Sequence, residues 1–115
     1  MKRIFITGIK GFMGAHLSRY FEAQGHLVSG IDNDFHVSQI KPTGFIQYGD
    51  IRNSSYMEQG IYNADIVIHL AAQIHVDYSI KHPTETLDIN VNGTLNVLEL
   101  CRKFGKKVIL SLIHI

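Results

Sequence analysis

The sequence is poor in cysteine, proline and net charge, and each scarcity excludes something. One cysteine, Cys101, cannot form an internal disulfide and fits a reducing compartment, so the expected location is the cytoplasm. Two prolines and no low-complexity tract leave no linker composition, no repeat and no domain boundary. Eleven Lys and Arg against ten Asp and Glu give a formal net charge of +1, and no basic run exceeds two residues. That balance gives no electrostatic footprint for nucleic acid or an anionic membrane surface. No apolar stretch approaches the roughly 20 residues that span a bilayer. The run Ile4-Phe5-Ile6 behind Lys2-Arg3 is also too short for the apolar region of a signal peptide. What remains is 115 residues of ordinary globular composition, 45% hydrophobic and 18% charged, enough for one domain with a core.

What is present is alternation. Short apolar runs alternate with longer segments of helical period. Arg3–Thr7, Leu27–Asp32, Phe45–Tyr48, Ala64–Leu70 and Lys107–Leu110 read as strands. Between them, Gly11–Gln24 reads as a helix with Met13, Leu17 and Phe21 on one face and Gly25 at its stop. Ser54 or Ser55 is expected to cap a short helix reaching about Tyr62. Pro83 is expected to open a long helix to Phe104, ended by Gly105, with Leu87, Val91, Leu95, Leu98 and Cys101 as its apolar stripe. Strands alternating with helices imply parallel βαβ units with right-handed crossovers. The expected fold is an α/β Rossmann-type doubly wound parallel sheet, N-terminal part only, of about five strands.

Between the first strand and the first helix stands Thr7-Gly8-Ile9-Lys10-Gly11-Phe12-Met13-Gly14. A glycine triplet is weak by itself, but strand, turn and helix follow here in the order that a phosphate cradle needs. Gly8 permits the turn, Gly11 lets the backbone approach a pyrophosphate, and Gly14 lets the helix pack closely. The helix start at Phe12 and Met13 offers unpaired N–H groups and a positive dipole end. A P-loop is excluded, because no Gly-Lys-Ser/Thr follows at the required spacing. The second strand ends at Asp32, beside Asn33, about where the dinucleotide fingerprint places an acid. A carboxylate there binds both hydroxyls of an adenine ribose and repels a 2′-phosphate. No arginine follows closely, so NAD is favoured over NADP.

With these motifs the chain resembles the extended short-chain dehydrogenase/reductases, and among them the NAD-dependent sugar-nucleotide epimerases and dehydratases, of which UDP-glucose 4-epimerase is typical. The resemblance extends to about Ile109 and rests on several spaced segments. Beyond the glycines and Asp32, Gly49-Asp50-Ile51-Arg52 matches the segment where relatives set an Asp against the adenine amino group. His69-Leu70-Ala71-Ala72-Gln73 matches the small-residue turn passing the cofactor's ribose and pyrophosphate, and Asn90-Val91-Asn92-Gly93-Thr94 matches a signature in the long helix. The resemblance implies cofactor contacts at Gly8, Gly11, Phe12, Met13, Gly14, Asp32, Asn33, Asp50, Ile51, Leu70, Ala71, Ala72, Gln73 and Asn90. Gly93 would permit close helix packing. Val76 and Ser79 would border the sugar nucleotide, and the long helix 83–104 is a candidate homodimer face. His69 is read as a packed residue, His75 and His82 as surface positions, and none of the three as a metal ligand.

Chemistry in such enzymes needs a Ser or Thr after the fifth strand and a Tyr-x-x-x-Lys. The Lys lowers the Tyr pKa so that its phenolate takes a proton from a sugar hydroxyl while hydride leaves the sugar carbon. Tyr78 and Lys81 are three apart, and no other tyrosine has a lysine four residues on. No catalytic residue is therefore expected within these 115, and the chain reads as an N-terminal portion, residues 1–109, inactive alone and marginally stable. Leu110-Ser111-Leu112-Ile113-His114-Ile115 is also the translation of CTG TCT CTT ATA CAC ATC, a transposon-end sequencing adapter, so residues 110–115 are read as a non-native tail. A non-catalytic NAD-binding sensor, or another extended dehydrogenase such as a decarboxylase or reductase, shares the same N-terminal half.

Overall fold

A computed structural model describes residues 1–33, 39–72 and 76–111, with the backbone alone at 76. Five strands form one sheet: β1 (Arg3–Thr7), β2 (Leu27–Asp32), β3 (Phe45–Tyr48), β4 (Ile66–His69) and β5 (Lys107–Leu110). All pairings are parallel and the order is β3-β2-β1-β4-β5. β1 is central, and Ile4, Phe5, Ile6 and Thr7 are all buried, because helices cover both sheet faces.

The two faces divide the apolar residues by strand alternation. Phe5, Ile31 and Val67 face α2 (Ser55–Asn63) and α5 (Thr94–Phe104), packing with Met57, Ile61, Val97, Leu100 and Cys101. Ile4, Ile6, Val28 and Ile68 face α1 (Phe12–Ala23), where Leu17 and Phe21 lie against them. After β3 the chain crosses to the opposite side of β1, so the strand order reverses between β1 and β4. Such a switch point opens a crevice at the carboxyl ends of the strands.

Four strands run over the expected residues. β4 is shorter than the expected Ala64–Leu70, because the Ala64 N–H still donates to Ile61 O and closes α2, while the Leu70 N–H donates to Thr7 Oγ1 as well as to Thr7 O. Leu110 pairs with His69, and the Ser111 N–H donates to His69 O, so the first two residues of the terminal hexapeptide continue β5; 112–115 lie outside the described residues.

Three helical expectations are corrected. The buried face of α1 is Gly14, Ala15 and Ser18, flanked by Leu17 and Phe21, and Met13 is exposed. The close seat of Gly14 on the preceding turn sets the helix rotation and turns Met13 outward. Ser54 holds the N-cap position of α2 but makes no side-chain cap hydrogen bond; Asn53 Oδ1 instead accepts the Ser55 N–H at 3.1 Å and the Ser55 hydroxyl at 2.6 Å.

The long helix is not uniformly α. Following α3 (Val76–Lys81), it runs as α4 (Pro83–Leu87), a π turn (Asp88–Gly93) and α5. The wide turn shifts the phase of every residue after it. Gly93, Val97, Leu100 and Cys101 face inward; of the expected stripe Cys101 is buried and Leu98 half-buried, whereas Val91 and Leu95 are 46% and 51% exposed, as is Leu87 before the π turn at 63%. Gly93 decides the rotation: a Cβ there would lie 2.4 Å from Ile51 Cδ1. The Asn96 amide fixes the same contact from the next turn, donating to Ile51 O at 3.0 Å and Arg52 O at 2.8 Å. Gly93→Ala is expected to lower stability by about 1 kcal/mol, overpacking outweighing the helix-propensity gain; urea midpoints would measure it.

Candidate functional site

The site begins at the carboxyl end of β1. Gly8 turns the chain with φ 71°, and its N–H donates to Ile31 O at 2.9 Å. A Cβ at Gly8 would sit 2.9 Å from the Ala71 nitrogen, so this glycine also admits the turn that follows β4. At Gly14 a Cβ would be 2.3 Å from Gly8 O and 2.7 Å from Ile9 Cα, so the helix start lies directly on the glycine turn rather than on the sheet. Gly11 differs. Its Cβ would meet only Gly8 O, at 3.3 Å. The fold itself demands Gly8 and Gly14, while the space over Gly11 suits the close approach of a group from outside the chain. Phe12 and Met13 stand exposed at the start of α1.

Asp32 ends β2 and is buried, 7% exposed. Its Oδ2 accepts the Lys10 N–H at 2.9 Å, and its carbonyl accepts the Gly49 N–H at 3.1 Å. A single acidic residue thus joins the glycine turn to the end of β3. Lys10 reaches across this corner, its ammonium donating to Tyr48 Oη at 2.9 Å and lying 4.7 Å from the ring centroid. Asn33 follows directly.

Asp50 and Ile51 follow β3 in a turn. The Asp50 carboxylate accepts the Arg52 backbone N–H at 2.9 Å, Nε at 3.0–3.1 Å and Nη2 at 2.6 Å. The guanidinium holds the carboxyl below its ordinary 3.8, and Asp50 in turn raises Arg52. Because the folded value is depressed, the pair stabilises the fold above about pH 4, and that contribution is lost as pH falls. Arg52 Nη1 also reaches Asp88 at 3.3 Å.

On the other side of β1 a directed hydrogen-bond chain crosses the sheet edge. Thr7 Oγ1 accepts the N–H groups of Leu70 at 3.0 Å and Ala71 at 3.1 Å. With both lone pairs taken, its proton goes to His69 Nδ1, 2.7 Å away. His69 is then the neutral Nε2–H tautomer and donates to Thr94 Oγ1 at 2.9 Å, whose own proton goes to Asn90 O at 2.7 Å. Buried His69 is the packed residue expected, and its packing ties the Leu70–Ala71 turn to the π turn carrying Asn90.

The expected cofactor residues therefore converge from four strand ends: the Gly8–Gly14 turn, Asp32 with Asn33, Asp50 with Ile51, and Leu70 to Ala72. Asn90 reaches them through the π turn. Ser79 is half-buried in α3, which Val76 begins, and His82 is exposed. Gln73 and His75 lie outside the described residues. Among the described residues no His, Cys, Asp and Glu group is arranged to hold a metal ion, and no helix is long and apolar enough to cross a membrane.

Thr7, Lys10, Arg52, Asp88, Thr94 and Asn96 escaped the sequence reading as parts of this site. Thr7 carried a signal: a hydroxyl directly after the apolar run Ile4–Ile6 needs partners once buried. Arg52 carried a weaker one, an opposite charge two residues from Asp50. Thr94 carried only its place at the end of the Asn90–Thr94 segment, its partner lying 25 residues away, and Asp88 and Asn96 carried none, since their partners lie 36 and 45 residues away.

Comparison with known proteins agrees with this geometry. Residues 4–114 match the model of the NAD dependent epimerase/dehydratase family. CDP-glucose 4,6-dehydratase of Salmonella typhimurium is 34% identical over 113 residues, spanning 90% of this chain and 32% of that protein. The crystal structure of UDP-glucose 4-epimerase from Thermotoga maritima, with UDP-glucose, superposes with a TM-score of 0.86 at 28% identity, covering 94% of this chain and 37% of the other. The Thermus thermophilus UDP-glucose 4-epimerase in complex with NAD gives 0.80 at 31% identity, covering 90% and 34%. The chain thus spans about a third of the length of the relatives it matches. With the sheet order, the glycine turn and the acid at the end of β2 all in place, the chain belongs to the NAD dependent epimerase/dehydratase family.

Proposed function

We propose that this chain is the NAD-binding N-terminal portion of a cytoplasmic sugar-nucleotide epimerase or dehydratase that works by transient hydride transfer at a sugar carbon. The observation that carries the reading is Asp32: a buried carboxylate at the end of β2, bound to the backbone of the glycine turn. The cradle fits a dinucleotide. Gly8, Gly11 and Gly14 with the N–H groups at Phe12 and Met13 take the pyrophosphate, and Asp32 with Asn33 takes the adenine ribose. Asp50 and Ile51 take the base. Leu70, Ala71 and Ala72 are assigned to the central part of the cofactor, to which the family resemblance also assigns Gln73, and Asn90 to holding the turn or the nicotinamide side. NAD, when bound, supplies a reversible hydride acceptor. The chain's own residues position it and hold the Leu70–Ala71 turn through Thr7.

Val76 and Ser79 are assigned to the border of the sugar nucleotide. The proton-transferring hydroxyl and its lysine are assigned to sequence beyond residue 109, with 110–115 as an adapter-derived tail; resequencing the source DNA past codon 109 tests both. The exposed Leu87, Val91 and Leu95 support the long helix as a homodimer face.

Calorimetric binding of NAD and NADP tests the cofactor assignment. The wild-type protein is expected to prefer NAD, because a 2′-phosphate beside Asp32 meets like charge. Asp32→Asn retains an acceptor for the Lys10 N–H but removes the charge, and should narrow the preference by on the order of tenfold. An unchanged ratio would remove Asp32 from the ribose site.

A further inference from the structure

We infer that Arg52 is a positioning residue for the base: clamped between Asp50 and Asp88, it makes Asp50 an acceptor with one open direction that selects a 6-aminopurine over a 6-oxopurine. This rests on the reading that Asp50 faces the base. The placement supports it, since Tyr48 pairs with Asp32 across β2 and β3 and Asp50 follows two residues later. A base attached to a ribose at Asp32 therefore points toward the next strand end, where Asp50 stands.

Three Arg52 donors, the backbone N–H, Nε and Nη2, converge on the Asp50 carboxylate. A carboxylate offers about four lone-pair sites; the Nε–H is shared between the two oxygens, so three protons make four contacts and roughly one direction is left for a ligand. An exposed carboxylate would ordinarily rotate. This one cannot, because Arg52 is itself held at both ends by the long helix. Its Nη1 reaches Asp88 Oδ2 at 3.3 Å, Asp88 Oδ1 accepts the Asn92 amide at 2.6 Å, and the Arg52 carbonyl accepts the Asn96 amide at 2.8 Å. The clamp also keeps the group ionised, with its pKa lowered by the Arg52 contacts, so it can accept but never donate. A 6-amino group donates to such an oxygen. A 6-oxo group turns a lone pair toward it and is repelled, and a swung-out or protonated Asp50 would relieve that repulsion.

The bland alternative is that Arg52 only ties the turn to the helix. Affinities of the protein for NAD and for nicotinamide hypoxanthine dinucleotide, which differ at the 6-position of the purine, separate the two roles. The wild-type protein is expected to prefer NAD, and Arg52→Gln to weaken NAD on the order of tenfold while the hypoxanthine dinucleotide changes little, so that the ratio collapses. Arg52→Lys should not restore it, because an ammonium cannot reproduce the fork. Asp88→Asn, which leaves the Asp50–Arg52 contacts and cuts the tether, should narrow the ratio by about threefold, and it decides the matter if Arg52→Gln does not fold. Equal weakening of both dinucleotides, or an unchanged ratio, would overturn the positioning role. Asp50→Ala separates the underlying reading. If the wild-type protein and Asp50→Ala treat the two dinucleotides alike, Asp50 does not face the base and the inference falls with it. If Asp50→Ala loses the discrimination and Arg52→Gln keeps it, only the role of Arg52 fails.

Discussion

Gly14→Ala is expected to weaken NAD binding on the order of a hundredfold and to destabilise the fold by about 2–3 kcal/mol. The added methyl would lie 2.3 Å from Gly8 O, 2.7 Å from Ile9 Cα and 2.9 Å from Ile9 C. All three are backbone atoms of the glycine turn, and none can yield as the end of a side chain does. The start of α1 must lift instead, by on the order of 1 Å, and its N–H groups move off the pyrophosphate position proposed for them; such a misplacement costs about a hundredfold where geometry is the source of the effect. Gly11→Ala is the informative contrast. Its Cβ meets only Gly8 O, at 3.3 Å, so thermal stability should stay near wild type while NAD affinity still falls. Thermal scans and calorimetry on the two variants check both halves. Equal stability loss in both would mean that Gly11 serves the chain rather than a ligand.

The second large effect is expected at a residue without a contact to any reacting group. Thr7→Val deletes a hydroxyl that accepts from Leu70 and Ala71 and donates to His69. Valine fills nearly the same volume, so the loss comes from hydrogen bonding. The Ala71 N–H loses its hydroxyl partner, and the Leu70 N–H keeps only the longer bond to Thr7 O at 3.2 Å. His69 Nδ1 loses its donor inside the protein. Unsatisfied buried groups cost about 1–3 kcal/mol each. A total near 3 kcal/mol is expected, or a fall in Tm of roughly 12 °C for a domain of this size. Thr7→Ser, which keeps the hydroxyl, should recover most of it. Nitrogen NMR of His69 gives a second check: the neutral Nε2–H form in the wild-type protein, and a mixture of tautomers in Thr7→Val. A wild-type imidazole protonated on Nδ1 would overturn the assigned direction of the chain from Thr7 to Asn90.

Both effects arise where the local pattern and the long-range packing meet, and the same boundary divides what was legible in the sequence. β1, β2, β3 and β5 were legible because each is a short apolar run bounded by turn residues, and that pattern is local. The order β3-β2-β1-β4-β5 was not legible: right-handed crossovers imply a parallel doubly wound sheet but leave open which neighbour each strand takes. Gly8, Gly14 and Asp32 were legible because the strand–turn–helix context fixes their surroundings within about twenty-five residues. The rotation of the long helix was not. Leu87, Val91, Leu95, Leu98 and Cys101 fit a regular α period, but the π turn at Asp88–Gly93 breaks the phase, and no local rule marks it.

Sequence alone, then, determined most of the strands, the parallel α/β class and the position of the glycine turn, because backbone preference and apolar periodicity act over a few residues. Only the tertiary structure decided which helix faces lie inward, because that depends on the single contact of Gly93 with Ile51 and the reach of Asn96 to the turn after β3. It alone decided that His69 links Thr7 to Thr94 and that Arg52 is held between two acids. A buried hydrogen bond draws its energy from a partner whose position the rest of the chain must first set.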